Sequence, residues 1–166
     1  MKTNFEEYVT ELAPSLAAAE KPRWFLLTCM DYRYAHRIVD VMDSRGLRRK
    51  YDIFVLAGAA AGANKEQAWK EVLVDHIKTA RKIGHLIDRI MILEHRDCGA
   101  YKAFFGLDWE KVLPPVEKEE HLNQVRILST YLEGVLRDDI PDLKIDSFLL
   151  PRDEDDPLLI EGREQS

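Results

Sequence analysis

The stretch RIMILEHRDCGAY, residues 89–101, holds the decision about this fold. After Arg89, residues Ile90-Met91-Ile92-Leu93 are apolar without alternation, the pattern of a strand covered on both faces in a parallel sheet. The character then changes: Glu94, His95, Arg96, Asp97 and Cys98 place five titratable side chains where that strand should end, and Gly99 follows. A His-x-x-Cys pair is too short to mean much by itself. Its reading depends on whether a third ligand reaches the same place.

Working outward, three further apolar runs read as buried strands: residues 24–28, 53–57 and 145–150. Helical patterns separate them. One helix is expected to start after Asn64 as N-cap, with Gln67 completing a capping box, Trp69, Val72, Leu73, Ile77 and Ala80 on one stripe, and Gly84 as its stop. Another is expected over residues 117–137, carrying Leu122, Val125, Leu128, Leu132 and Val135 on one face and stopped by Pro141. Ile38, Val41 and Met42 indicate a shorter helix closed near Gly46, and Phe5, Tyr8, Val9 and Leu12 an N-terminal one that Pro14 must kink or restart. Strand and helix in alternation imply right-handed crossovers, hence an α/β fold: an open, mainly parallel β-sheet flanked by helices.

At 166 residues, one domain spanning 1–166 is expected, with residues 1–20 as an N-terminal helical arm and 151–166 as an acidic tail, extended or frayed. The net charge of −6, with basic residues mixed among acids, argues against a nucleic-acid partner. No apolar run is long enough for a membrane span, and the first seven residues lack the hydrophobic core of a signal peptide, so a cytoplasmic protein is expected. In a reducing compartment, two cysteines are free thiols or metal ligands before they are a disulfide.

Cys29 closes the first strand as His95 and Cys98 close the third. Ligands gather outside the carboxyl ends of strands in open parallel sheets, so these three residues can converge. Two sulfurs and an imidazole suit Zn2+, one ion per chain, with a fourth position left for water or substrate. A helix starting beside Cys98 would favour its thiolate, and Gly99 would let the backbone pass close to the metal. The plainer alternative makes both cysteines small buried hydrophobes and His95 a core residue. If the chain stays extended past Cys29, Asp31 and Arg33 share its face, and the guanidinium can grip the carboxylate. Asp31 so held can take a proton from bound water; released, it can become a fourth metal ligand. A surface ion pair is the bland reading of the same two residues.

Cys-x-Asp-x-Arg followed by His-x-x-Cys-Gly resembles the β-class carbonic anhydrases, over roughly residues 22–105. That resemblance implies zinc on Cys29, His95 and Cys98, an Asp31–Arg33 pair, and substrate contacts at Gly58 and Gly99. It implies a four-stranded parallel sheet extended by further strand pairing, and an obligate homodimer with active clefts at its interface. The implied activity is reversible hydration of carbon dioxide to bicarbonate by metal-bound hydroxide. A hydrolase of carbonyl sulfide or carbon disulfide with the same metal set, and a non-catalytic zinc protein serving as an interaction module, are the alternatives. Two thiolates weaken zinc as a Lewis acid, so an alkaline optimum is expected.

The chain departs from the family's usual pattern in four places. Tyr32 stands where a serine is usual. The turn at Leu56-Ala57-Gly58-Ala59-Ala60-Ala61-Gly62 lacks flanking amide side chains. Glu94 replaces a glycine before the histidine, and the C-terminal half is short. Elsewhere, His76 is expected in the core or an interface, His36, His85 and His121 at the surface or helix ends, Trp69 and Trp109 as packing residues, and Tyr101 and Phe104 as candidate cleft lining.

Overall fold

The computed structural model describes residues 4–152. Four strands, β1 (Trp24–Thr28), β2 (Tyr51–Val55), β3 (Arg89–His95) and β4 (Lys144–Leu150), form an all-parallel sheet in the order β2-β1-β3-β4. Six helices connect them: α1 (Phe5–Ala17), α2 (Tyr32–Ser44), α3 (Ala60–Lys65), α4 (Gln67–Lys82), α5 (Gly99–Phe105) and α6 (Pro114–Leu136). The expected α/β class is therefore the observed one. No fifth strand extends the sheet among the described residues.

Alternation along the strands feeds two cores. Phe25, Leu27, Ile90 and Ile92 face α3, α4 and α6, where Leu73, Ile77, Leu128 and Leu132 pack on them. Leu26, Met91 and Leu93 face the other way, onto Phe5, Tyr8, Val9, Ile38 and Met42 of α1 and α2. A sheet buried on both sides must be written in continuous apolar runs, which is why β1 and β3 were legible. At the foot of the second layer, Tyr8 donates its hydroxyl to Asp146 Oδ2 at 2.6 Å, with Arg89 on the same carboxylate.

Several boundaries differ from expectation. β2 begins and ends two residues earlier than 53–57, because Leu56 and Ala57 leave the ladder for a turn through Gly58 and Ala59, both at positive φ. As an edge strand it is not covered on both faces: Ile53 is 44% exposed and Val55 51%. Asn64 is not a cap. It lies within α3, donating Nδ2 to Gln124 O and Oε1 at 2.8 and 3.0 Å, while Glu66 precedes α4 without a side-chain cap bond and Gln67 donates instead to Glu71. α6 starts three residues early, since Pro114 and Pro115 fit the first helical turn, where the missing N–H is not needed. α1 runs through Pro14 without restarting, capped by Asn4 on the Glu7 amide. Most of the acidic tail, from residue 153 on, lies outside the described residues.

Candidate metal centre

β1 lies at the middle of the chain's turn-about: β2 was added on one side of it, β3 on the other. Crevices in open α/β sheets form at such a switch point, outside the strands' carboxyl ends. Cys29, one residue past β1, and His95, the last of β3, stand there side by side because Thr28 pairs with Leu93. Cys98, the residue before α5, completes the group.

All three side chains are buried, and their ligand atoms lie within 4.8 Å of one another. The two sulfurs are 3.8 Å apart. Two thiolates each about 2.3 Å from one tetrahedral ion would stand roughly 3.8 Å apart, so the spacing is already that of a shared cation. His95 donates from Nδ1 to Arg96 O at 2.9 Å, since a carbonyl can only accept, and its Nε2 is buried with no hydrogen-bond partner among the described residues. Such an orphaned atom beside two sulfurs is the chemistry of a ligand waiting on a metal. The donor set fits a metal ion.

The three groups are electrostatically linked. Cys29 is drawn down to about 4 by the bond from the Cys98 thiol, helped by His95 and the Gly58 amide against burial. Cys98 moves up, because it keeps the proton of that bond and is itself buried. Burial works against a charged His95, but the Cys29 thiolate outweighs it and raises the imidazole. Tyr34 stacks on His95 with centroids 4.3 Å apart and donates its hydroxyl to Pro151 O, fixing the ring from behind.

Asp31 and Arg33 meet, by a different geometry from the extended one expected. The chain turns into α2 at once: Asp31 is its N-cap, accepting the Arg33 amide on Oδ1 at 3.0 Å. Arg33 then folds back, with Nε on Oδ1 at 2.9 Å and Nη2 on Oδ2 at 2.7 Å. This two-pronged grip holds the carboxyl below the usual carboxylate range. Asp31 Oδ2 remains 3.8 Å from His95 Nε2. Arg33 also reaches Asp97, whose φ of 59° turns the loop between His95 and Cys98.

Gly58 donates its amide to Cys29 Sγ at 3.3 Å, and a Cβ there would sit 2.8 Å from Ala100 Cβ. Gly99 differs: a Cβ there would meet no atom of the chain within 4 Å. Tyr32, 84% exposed, faces away from the core.

A family model described as "Putative carbonic anhydrase" matches residues 19–138, most of the chain and all of this centre. The chain belongs to that carbonic anhydrase family. Among its relatives are two uncharacterized proteins of Rickettsia. The one from Rickettsia conorii is 28% identical over 130 residues, covering 77% of this chain and 67% of its own. The one from Rickettsia bellii is 30% identical over 135 residues, covering 77% and 76%.

Around this candidate metal triad stand residues whose placement the sequence did not reveal. His121 is not at the surface: it is 1% exposed, stacked on Trp109, with Nδ1 2.8 Å from Glu94 Oε2. Glu117, read only as a helix start, is buried and accepts Arg96 Nε and Nη2, both at 3.1 Å, and the Asp97 amide at 2.5 Å. Trp109 packs as expected and also donates Nε1 to Cys98 O at 3.0 Å. His76 is exposed, set edge-on to Phe54, and His85 pairs with Asp52. The one sequence signal for the buried acids was a glutamate joined without a break to an apolar strand.

Proposed function

We propose that this protein is a zinc-dependent carbonate dehydratase, interconverting carbon dioxide and bicarbonate. The observation that carries the reading is the Arg33 grip on Asp31. A purely structural metal site has no use for a carboxylate held 3.8 Å from the ligand nitrogen yet kept off the fourth position. Zinc on Cys29, His95 and Cys98 would supply a Lewis acid able to make water nucleophilic.

The chain's own residues do the remainder. Asp31, ionised and oriented by Arg33, accepts the proton that water must lose and, being partly exposed, passes it to solvent. Arg33, itself held by Asp97, keeps Asp31 in that role and not as a fourth ligand. Gly58 and Gly99 line the approach. Tyr34, Tyr101 and Trp109 wall the centre against bulk water. A second copy is proposed along β2, whose open edge exposes Ile53 and Val55.

Metal analysis of the purified protein joined to stopped-flow carbon dioxide hydration tests this, with Asp31→Ala alongside. Zinc near one per chain, turnover rising into the alkaline range for a weakened Lewis acid, and loss of turnover in the variant are expected. Zinc without turnover at any pH overturns the catalytic reading.

A further inference from the structure

The turn between β2 and α3 has no polar side chain of its own to hold it. Leu56, Ala57, Gly58, Ala59, Ala60 and Ala61 offer only backbone, and buried Ala59 sits at φ 42°, ψ −108°, unfavourable for any residue with a Cβ. Yet this turn carries the amide that donates to Cys29 Sγ. Its polar anchor comes from β3. Glu94, 2% exposed, accepts the Ala60 amide on Oε1 at 2.8 Å.

The same carboxylate accepts the Tyr101 hydroxyl at 3.0 Å and His121 Nδ1 at 2.8 Å, both on Oε2. Burial and the nearby carboxylate push the Tyr101 phenol well up, so it keeps its proton and donates. One side chain thus ties together α3, α5 and α6, with three donors to offset the penalty of burying it. Strand alternation sends Glu94 to the α3 side while its neighbour His95 turns toward Tyr34.

We propose that Glu94 is a positioning residue for the metal centre: by holding the Ala60 amide it fixes the Gly58 N–H on Cys29 Sγ, and so limits the charge that this sulfur delivers to a bound ion. A hydrogen bond stabilises the sulfur lone pair, leaving a weaker donor and a more acidic metal. This rests on the zinc reading above and assigns a role to a residue that touches no ligand directly.

Cobalt(II)-loaded protein gives a direct test, because its sulfur-to-metal charge-transfer band reads the thiolate donors, and exchange of the Gly58 amide in zinc-loaded protein reads the bond itself. Glu94→Ala and Glu94→Asp, which cannot reach Ala60, are expected to shift the band to lower energy and speed Gly58 exchange at least tenfold. Glu94→Gln keeps an oxygen toward Ala60 and is expected to restore both nearly to the parent. Glu94→Asp retains the charge, so the test stands even if Glu94→Ala does not fold. Parent-like band and exchange in either shortened variant overturn the proposal. So does a Glu94→Gln shift as large as that of Glu94→Ala, which would show that the centre feels the charge and not the grip. A parent protein with no charge-transfer band would overturn the zinc reading and this proposal together; a parent band with unmoved variants overturns this proposal alone.

Discussion

Arg33 closes on both carboxylate oxygens of Asp31 and still leaves that carboxylate 3.8 Å from His95 Nε2. On the proposed function, this geometry offers one acid two uses, proton acceptor or metal ligand, and Arg33 is what would decide between them. Arg33→Ala and Asp31→Asn are expected to retain zinc and to lose hydration activity by roughly 10²-fold or more. Arg33→Lys should not rescue, because one ammonium cannot make the two-pronged contact. Metal content and initial rates measured together check this; an Arg33→Ala enzyme as fast as the parent would refute it.

The same pair makes a prediction for stability against pH. Arg33 favours the charged form of Asp31, so its folded pKa is depressed. Its contribution is in full above about pH 4, the unfolded value, and fades as pH falls through the lower folded value. Asp31→Asn is expected to be less stable than the parent at pH 6, by under about 1 kcal/mol since the guanidinium is partly exposed. Urea unfolding should show that difference shrinking toward acid. A gap that widened on acidification would contradict it.

Glycines 58 and 99 should respond differently to alanine. At Gly58, φ is 70° and the new Cβ would press on Ala100, so Gly58→Ala is expected to cost at least about 2 kcal/mol. It should also disturb the hydrogen bond to Cys29. Gly99→Ala meets no atom and is expected to stay within about 0.5 kcal/mol of the parent. Thermal denaturation of the two variants side by side decides.

Removing the buried Glu117 carboxylate takes away the acceptor of Arg96 Nε and Nη2 and of the Asp97 amide. Breaking a buried pair by deleting one partner costs about 3 kcal/mol or more. Glu117→Ala should therefore melt roughly 6–12 °C below the parent and bind zinc more weakly through a looser loop to Cys98. An unchanged melting temperature would show that the pair is dispensable.

The β2 edge carries the dimer prediction. Replacing Ile53 and Val55 with lysine puts two charges on an open strand edge while leaving the inward face of β2 alone. Sedimentation should report a smaller assembly than the parent's with metal content retained. Parent and variant of the same size would remove β2 as the interface.

Much of this was legible because burial writes itself in runs. β1 and β3 could be read to within two residues, and their ends led to Cys29, His95 and Cys98. β2 misled, because Leu56 and Ala57 are as apolar as a strand yet belong to a turn that only Gly58 and Ala59 make possible. Asn64 misled because its partner is Gln124, sixty residues away, where local capping rules do not reach. Glu117 and His121 were out of reach for the same reason, since an acid and a histidine in a helix acquire meaning only when α6 docks over the centre, and Glu94 offered only its unbroken join to the apolar run of β3. The Asp31–Arg33 contact was anticipated, but the backbone producing it is a helix cap and not an extended strand.

The neighbouring of Thr28 with Leu93 has a consequence for how the molecule matures. Between these residues the chain must complete two helical crossovers and an outer strand, so pairing of the first and third strands is expected to come after the loop between them has closed. An ion that needs Cys29 and His95 at once is expected to bind only after these two strands have met, not to template the early collapse. Zinc added to refolding protein should slow unfolding without hastening folding, making retention of the ion a mark of molecules that have arrived.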